Sequence, residues 1–442
     1  MTKLKSTTYK FVSSIGFIGL SKFLKIIVTF FVSILVIRHL NPDIYGVYVF
    51  AIAVTSFFFT FVKLGIAPIV VIDLTHDPKK KLEIISTAIY LKLFASLFAF
   101  AVLTVCVIIL EKDYLIRICI ILVGSSIFFQ FHDIFKTQFE YEIKGKEIFV
   151  ATIIHSYFSS ILKLIAIANN ASVEIFCIIL IIDHFIHLLL YLAFDRFSIF
   201  RNKLQKFDLT RAKSILSRSW PLLIASFGVI FYMRIDQVMI KIFLGAEEVG
   251  YYSAVVKLSE SANFIASALV AGIFPLLVKI NSNSDKDFQY IMLGLYRSTL
   301  FVSICISLFI FIFNEQIINI LFGIKYAKSA PVLAIYCWSI ILVFMGLLST
   351  KWMIISDNRK LIAVSTFSGA ISNIFLNIYL IPLYGMEGAA YATLISYSFS
   401  AIIFDVFYSS LHKNLKFKIL SLNLLPLPNF IFDVYKRLKS HN

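Results

Sequence analysis

The stretch that decides the fold spans residues 220–279 and reads WPLLIASFGVIFYMRIDQVMIKIFLGAEEVGYYSAVVKLSESANFIASALVAGIFPLLVK. It consists of two long apolar runs joined by a short loop, and Arg234, Asp236, Lys257 and Glu260 lie inside the apolar part. A charged side chain is costly within a bilayer, so such residues are rare there and mark functional or paired positions. The stretch therefore predicts membrane helices with an ionic interior.

The same stretch repeats an earlier part of the chain. The pattern L-x5-G-x-Y occurs first at Leu40, Gly46 and Tyr48 and again at Leu244, Gly250 and Tyr252. In addition, GIAPIVV from Gly65 recurs as GIFPLLV from Gly272. Two patterns in the same order and nearly the same spacing predict a duplicated unit of roughly two hundred residues. Chance recurrence of common residues is the alternative.

Composition places the whole chain in the class of polytopic membrane proteins. Of its 442 residues, 60% are hydrophobic and 15% are charged, which is far more apolar than a soluble domain. The first apolar run, 11–37, is too long for a signal-peptide core and lacks a small-residue cleavage site, so we expect it to remain as a span. The five cysteines fall in apolar runs without C-x-x-C spacing, and neither disulfides nor a metal site are expected.

A transmembrane helix needs about 20 mostly apolar residues. By that measure the sequence predicts twelve spans, at about 11–37, 44–66, 84–110, 114–136, 148–168, 173–194, 215–241, 249–279, 291–313, 330–355, 361–381 and 388–411.

Basic residues in the loops predict the orientation. Twenty Lys and Arg residues fall on one side of the predicted spans and four on the other, which places both termini in the cytoplasm. The net charge of +16 is spread over many short loops rather than gathered on one face, so a membrane partner explains it better than nucleic acid does.

The longest predicted cytoplasmic connection between spans divides the chain into two halves. We predict an N-terminal six-helix lobe at 1–200, a linker at 201–214 and a C-terminal six-helix lobe at 215–411. An even number of spans in each half makes the halves parallel repeats. Residues 412–442 mix apolar and basic residues, which predicts an interfacial tail against anionic lipid, with a solvated tail as the alternative.

Several basic residues lie deep within the predicted spans. Lys25, Arg234, Lys257 and Arg297 are at least a turn or two from a span end, and a hydrated central cavity explains them better than lipid does. Because Lys and Arg bind phosphate strongly, we expect an anionic cargo such as a phosphate or pyrophosphate headgroup. In the alternative, acidic residues within the same spans simply neutralise these cations in structural ion pairs.

Acidic residues within the spans are candidates for coupling transport to an ion. Asp183, which lies beside His184 and His187, is the strongest candidate for a proton-linked step, and Asp236 and Glu260 are the others. A polar cluster that only holds helices together is the alternative. Catalytic signatures such as G-x-S-x-G, a Walker loop or H-E-x-x-H are missing from the sequence, so we expect no nucleotide or other cofactor.

Four segments carry a resemblance to a known family. They are RHLNPDIYGVY from Arg38, MRIDQVMIKIFLGAEEVGYYSAVVKLSE from Met233, GIFPLLVK from Gly272 and IPLYGMEGAAYATLISY from Ile381. Together they resemble the polysaccharide-transporter family, specifically Wzx-type O-antigen flippases, whose superfamily also contains MATE drug exporters and lipid II flippases.

The resemblance implies a MATE-like pair of six-helix bundles that open the interior alternately to one side of the membrane and to the other. It also implies transport of an undecaprenyl-pyrophosphate-linked oligosaccharide across a bacterial inner membrane for O-antigen or capsule synthesis, with a polysaccharide polymerase and a chain-length regulator as possible partners. The positions that match its motifs are Arg38, Pro42, Tyr45, Gly46, Arg234, Asp236, Gly250, Tyr251 and Lys257. We interpret Pro42, Gly46 and Gly250 as residues that shape loops.

Two other functions stay open at the level of sequence. A MATE-like cation antiporter would need an acidic rather than a basic interior, and the basic excess within the spans argues against it. A membrane-embedded polysaccharide polymerase or ligase is expected to use a sizeable outer loop, and only residues 314–330 offer one.

Overall fold

The computed structural model describes residues 2–195, 204–428 and 430, and every regular element in this part is a helix. The first helices are α1 Thr2–His39, α2 Pro42–Lys63, α3 Ala67–His76, α4 Lys81–Leu110, α5 Tyr114–Ser125, α6 His132–Tyr141, α7 Gly145–Ala168 and α8 Val173–Phe194. They are followed by α9 Leu209–Leu244, α10 Ala246–Asn283, α11 Asp285–Ile312, α12 Asn314–Leu321, α13 Ser329–Tyr336, α14 Ser339–Ile355, α15 Arg359–Ala401 and α16 His412–Ser421. The predicted all-α membrane fold is confirmed. Three of the twenty basic loop residues that predict the orientation, Arg196, Arg201 and Lys203, lie outside the described residues.

Ten helical segments of the described residues are long and apolar enough to cross a membrane. The sequence predicts twelve spans, and the two lists differ at two places. Helix α15 contains the predicted span 361–381 and the first part of the predicted span 388–411 in one run, which is kinked where Gly385 takes the non-helical angles φ 61° and ψ −138°. Helix α10 covers the predicted span 249–279 but is not among the ten. The count of twelve stays a prediction.

Local sequence signals fix several helix starts. Pro42 opens α2, where its missing N–H costs no hydrogen bond. The Asp113 carboxylate accepts hydrogen bonds from the backbone N–H groups of Leu115 and Ile116 at the start of α5, at 2.8 and 3.1 Å. These caps satisfy donors that a helix start leaves unpaired, so they determine where the chain turns back into the membrane.

The glycines expected to shape loops lie inside helices. Gly46 is buried in α2 and Gly250 is buried in α10, each within the first turns, so neither lies in a loop, and the loop-shaping role of Pro42, the first residue of α2, stays a prediction. The reason is that the connections are very short, and the motif positions fall after the chain has become helical. At the second connection Gly245 takes the turn conformation instead, with φ at 106°.

The chain forms two compact units, Met1–Lys241 and Ile242–Asn442, which we call unit 1 and unit 2. Their border lies within α9, later than the predicted linker at 201–214, of which 201–203 lie outside the described residues. Most of α9 belongs to unit 1 because its side chains bond to earlier helices. Arg211 Nε donates to Glu83 of α4 at 2.8 Å, and Lys241 pairs with Glu111. The division into two six-helix lobes stays a prediction.

Unit 1 is a bundle in which α1 packs along α7, α7 along α8, and α2 against α4, α5 and α8. Its interior contains large apolar side chains such as Phe135 and Phe176, which are fully buried. It also buries polar groups, including Lys92 and His155, at 0% and 2% exposure. Lys92 forms an ion pair with Asp133, which offsets the cost of its burial.

Unit 2 is organised around α14, which packs against α10, α11 and α15, while α16 packs against α11. Its apolar core includes Leu277, Met292, Tyr296, Trp352 and Leu411. Burial of these side chains is the main term that holds the helices together within the unit, because their packing is lost when the unit unfolds.

The first part of the predicted interfacial tail is a helix with one face buried in unit 2. Helix α16 places Lys418 at 2% exposure, where its ammonium group donates to Asp405 Oδ2 at 2.6 Å. The physical reason for this burial is that Asp405 is a fully buried carboxylate, and the cation that balances it comes from this segment. The opposite face, with Lys413, Lys416, Ile419 and Leu420, is exposed, so the interfacial and solvated alternatives both stay predictions for residues 412–421. Residues 431–442 of the predicted tail lie outside the described residues.

Candidate functional site

The four cations predicted to hold the cargo are divided between the two units. Lys25 in α1 and Arg234 in α9 belong to unit 1, whereas Lys257 in α10 and Arg297 in α11 belong to unit 2. All four are partly buried. The Nε atom of Arg297 is buried and has no hydrogen-bond partner among the described residues. A single cavity lined by all four stays a prediction.

The acidic candidates close to these cations are also partly or fully enclosed. Asp236 in α9 is 7% exposed, and Glu260 in α10 is partly buried. Arg234, Asp236, Lys257 and Glu260 each interact with another group of the protein, so none of them is an isolated charge. The alternative in which these carboxylates neutralise the cations therefore stays open beside the cargo-binding prediction.

The interior of unit 1 contains a cluster of histidines around Asp183. His155 Nδ1, on α7, lies 2.9 Å from Asp183 Oδ1, on α8. The ring of His187 stacks on that of His155, with 3.9 Å between centroids, and His132 lies 4.4 Å from His187. The ring of Tyr191 stacks on that of His187, with 4.7 Å between centroids. Helices α6, α7 and α8 thus bring five titratable side chains together; we call them the histidine cluster.

The geometry of the histidine cluster limits its charge. A carboxylate accepts hydrogen bonds, so His155 Nδ1 carries the proton of the bond to Asp183. Lys25 of α1 interacts electrostatically with the same carboxylate. Two imidazole rings stacked at 3.9 Å repel each other when both are charged, so His155 and His187 do not both hold an extra proton.

Sequence reasoning identified only part of this cluster. It named Asp183, His184 and His187 on α8 but missed His155 and His132, which α7 and α6 contribute. No spacing rule connects residues on different helices. The available signal was simpler: His155 lies inside a predicted span, and an ionisable residue there is a candidate functional group in its own right.

A cavity of about 280 Å³ lies beside the histidine cluster, within unit 1. Its wall is mostly apolar but contains several polar side chains, after which we call it the polar cavity. Its wall includes His184 and Phe59, whose rings are stacked with centroids 5.4 Å apart. Thr55, Gln130 and Lys63 also line it, and α9 contributes Ile230. Helices α2, α5, α8 and α9 therefore enclose a site with hydroxyl, amide, ammonium and aromatic groups.

A second cavity, of about 440 Å³, lies where α3 and the start of α9 meet. Arg218 forms a bidentate pair with Asp73 there, with nitrogen–oxygen distances of 2.8 and 2.7 Å. The guanidinium group of Arg218 donates to both oxygens of the Asp73 carboxylate. We interpret the cavity as a charged contact between α3 and α9 rather than as a ligand site.

The sequence matches the family of polysaccharide biosynthesis proteins over residues 35–331, which is more than half of the chain. One similar curated protein is the probable low-salt glycan biosynthesis flippase Agl15 of Haloferax volcanii, 25% identical over 47% of this chain and 44% of its own length. The chain thus spans less than half of that relative in the match. Another is the capsular polysaccharide biosynthesis protein CapF of Staphylococcus aureus, 21% identical over 92% of this chain and 99% of that protein.

Solved transporter structures share the fold. The lipid II flippase MurJ in an inward closed conformation superimposes with a TM-score of 0.73 at 16% identity, covering 94% of this chain and 95% of MurJ. An inward-facing multidrug resistance MATE family transporter gives a TM-score of 0.71 at 12% identity, covering 90% and 96% of the two chains. At these identities the likeness concerns the fold alone, and it confirms the MATE-like architecture.

Proposed function

Because the chain belongs to the polysaccharide biosynthesis protein family, we propose that it is a flippase that moves a lipid-linked oligosaccharide across the membrane by alternating access. In full, the proposed cargo is an undecaprenyl-pyrophosphate-linked repeat unit for O-antigen or capsule synthesis. It crosses a bacterial inner membrane in which both termini of the protein face the cytoplasm. A polysaccharide polymerase and a chain-length regulator are its proposed partners.

One observation carries the proposal: basic residues outnumber acidic residues within the predicted spans, by fourteen to six. Each intramembrane charge is costly, so an excess of one sign needs a compensating ion. A pyrophosphate group supplies that charge while its sugars occupy the hydrated interior and its polyprenyl chain stays in lipid. Lys25, Arg234, Lys257 and Arg297 are the proposed contacts, because guanidinium and ammonium groups bind phosphate oxygens through charge-assisted hydrogen bonds.

An ion gradient is the proposed source of energy. Asp183 is the leading proposed coupling residue, since it bonds to His155 and an imidazole titrates near physiological pH. Asp236 and Glu260 are further candidates. A proton that binds at Asp183 and His155 changes the charge inside unit 1, and this change can favour one of the two access states.

The cation excess is tested by the double variant Arg234→Ala with Lys257→Ala in the organism that makes the protein. Loss of two charge-assisted hydrogen bonds, each worth about 1.5–3 kcal/mol, is expected to reduce surface polysaccharide by at least about a hundredfold. The measurement is the amount of polysaccharide on the cell surface at matched protein levels in the membrane.

Two control variants accompany the double alanine variant. One retains both charges at the same positions, and the other removes a charge at a different position. Arg234→Lys with Lys257→Arg retains both charges and should restore most of the polysaccharide. Lys286→Ala removes an exposed cation of α11 and should change nothing. Normal surface polysaccharide in the double alanine variant would show that these two cations do not hold the cargo.

A cation antiporter is the second candidate, favoured by the fold shared with the MATE transporter. It predicts that overproduction raises resistance to cationic drugs, and that the double alanine variant keeps this resistance. A flippase predicts no change in drug susceptibility. The basic excess within the spans favours the flippase.

A further inference from the structure

The polar cavity of unit 1 has no role in the function described above, yet its mostly apolar wall includes several buried polar side chains. Thr55, Thr60 and Ser126 are at most 2% exposed, and Gln130 is 7% exposed. All four line the cavity. Polar groups in a membrane bundle are costly unless they are bonded, so a group that faces a cavity indicates a polar occupant.

The hydroxyl groups in the wall are committed as donors. Thr55 donates to the carbonyl of Ala51 at 2.7 Å, and Thr60 donates to that of Ser56 at 2.9 Å. Ser126 donates in the same way to the carbonyl of Val123. A hydroxyl has one proton but two lone pairs, so each of these oxygens offers only acceptor capacity to the cavity.

His184 adds to this acceptor surface. Its Nδ1 lies 2.9 Å from the carbonyl oxygen of Leu180, which can only accept, so Nδ1 carries the proton. In the neutral ring Nε2 is then an acceptor. The ring of Phe59 stacks on His184 and provides a flat apolar patch beside these acceptors.

Two groups in the wall keep donor capacity. The side-chain amide of Gln130 has no hydrogen-bond partner among the described residues, so it is free to donate and to accept. Lys63, at the end of α2, has no ion-pair partner in the described part of the chain, and it places a positive charge at the edge of the cavity. A ligand that fits must therefore present many hydroxyl donors, an apolar ring face and a nearby negative charge.

We propose that this cavity binds a sugar ring of the cargo, with Lys63 on the phosphate side, so that unit 1 holds part of the carbohydrate during transport. The inference rests on the proposed flippase function and adds a site for the sugar to it. A pyranose ring has hydroxyl donors around its edge and C–H groups on its faces, which match the acceptors and the aromatic patch. The cavity volume of about 280 Å³ accommodates one such ring with its phosphate.

The direct test is photo-cross-linking in cells that make the native cargo. Phe59→p-benzoylphenylalanine places the probe in the cavity wall and retains the phenyl ring. Phe31→p-benzoylphenylalanine places it on α1 at a side chain that is 61% exposed. After irradiation the protein is purified and treated with mild acid, which cleaves the bond between sugar and phosphate, and mass spectrometry then shows whether sugar or lipid stays attached to the protein.

The two probes should give different adducts. We expect adducts that contain sugar at position 59 and adducts that contain only lipid at position 31. If the Phe59 probe supports polysaccharide production but yields no sugar-containing adduct, the cavity is not a sugar site and the inference is overturned.

A second test removes acceptor groups without changing shape. Thr55→Val and Gln130→Leu should each lower surface polysaccharide about fivefold, which corresponds to the loss of about one hydrogen bond. The matched control is Thr75→Val, because the exposed Thr75 hydroxyl of α3 also donates to a carbonyl one turn earlier, at 2.8 Å from Val71 O. Thr75→Val should leave polysaccharide unchanged.

Deletion of the gene separates the two proposals. If deletion leaves surface polysaccharide intact, the flippase proposal itself fails. If deletion abolishes it while Thr55→Val and Gln130→Leu behave like wild type, the flippase proposal stands and the sugar site is wrong.

Discussion

The two units bury polar groups in different surroundings. In unit 2, the ammonium group of Lys418 donates to Asp405 Oδ2 at 2.6 Å, to the Ala401 carbonyl at 2.6 Å and to Ser349 Oγ at 3.0 Å. Asn414 donates to the same carboxylate oxygen at 2.8 Å, and Tyr296 donates to Asn414. Asp405 and Lys418 are 0% and 2% exposed. We call this network closed because cation and anion are held together away from solvent, although Asp405 Oδ1 is buried with no hydrogen-bond partner among the described residues.

The histidine cluster of unit 1 is open by comparison. The Asp183 side chain keeps 21% of its surface exposed. His184, the next residue on α8, lines the polar cavity. The Nε2 atom of His187 is buried and has no hydrogen-bond partner among the described residues. A group with spare capacity next to a cavity can exchange a proton, whereas the ion pair in unit 2 cannot lose one partner without a large penalty.

The comparison teaches that a buried charge by itself does not identify a functional site. Lys418 and Lys92 are both buried lysines, and both are paired with a carboxylate of their own unit. Their pairs hold helices together. The residues that remain candidates for function are those whose hydrogen-bonding groups face a cavity.

The largest expected effect comes from breaking the closed network. Lys418→Ala leaves the Asp405 carboxylate buried without its cation, which should destabilise the protein by about 3–5 kcal/mol. Asp405→Ala should destabilise the protein by a similar amount, because it leaves the Lys418 ammonium group buried without its anion. The measurement is thermal unfolding of the purified protein in detergent, together with its level in the membrane.

A paired replacement tests the cause of that loss. Lys418→Met with Asp405→Leu removes both charges and keeps the volume apolar, so it should be far more stable than either alanine variant. Surface polysaccharide should return with it. Equal instability of the paired variant and Lys418→Ala would mean that the hydrogen bonds to Ser349 and Asn414 matter more than the ion pair.

The second effect concerns transport rather than stability. Asp183→Asn keeps the shape of the side chain but removes the charge that faces Lys25 and His155, so protein levels should stay near wild type. Loss of a charged hydrogen bond of about 1.5–3 kcal/mol should lower transport about ten- to hundredfold. The pH dependence of wild-type transport between about pH 5 and 8 should also flatten.

Other titratable groups around His155 belong in the interpretation of this test. His187 of α8 stacks on its ring, His184 of α8 and Lys25 of α1 interact with it electrostatically, and His132 of α6 contacts His187. Glu140→Gln, at an exposed carboxylate of α6, is the matched control and should keep the wild-type profile. An unchanged pH profile in Asp183→Asn would remove the histidine cluster from the coupling step.

The sequence predicted the helical membrane fold from its apolar runs, but it did not predict where helices break. The repeated pattern shows the limit. GIAPIVV begins at a break between α2 and α3, where Leu64 and Gly65 have φ of 53° and 62°, whereas GIFPLLV lies within the continuous helix α10. A Cβ atom at Gly65 would lie 2.8 Å from the backbone nitrogen of Leu223. The break therefore depends on the approach of α9, which a local pattern does not contain.

For the buried polar groups, the sequence likewise predicted single residues but not their partners. A charge within an apolar run was enough to single out Asp183 and Asp405, because intramembrane carboxylates are rare. Their partners His155 and Lys418 lie on other elements, and only packing brings them close. For Lys418 the mixed apolar and basic composition of the segment predicted a membrane surface, since an interfacial helix and a buried amphipathic helix have the same pattern.

The smallest expected effect uses a second lysine of α16. Lys413 contacts Asp285 at 3.1 Å, but both side chains are largely exposed, at 46% and 64%. Water and salt screen such a pair, so Lys413→Ala should leave both the unfolding temperature and surface polysaccharide unchanged. Lys413 and Lys418 share one helix and one type of partner and differ mainly in burial. If Lys413→Ala destabilised the protein as much as Lys418→Ala, closure of the network would not be the reason for the stability of unit 2, and the contrast with the histidine cluster would lose its basis.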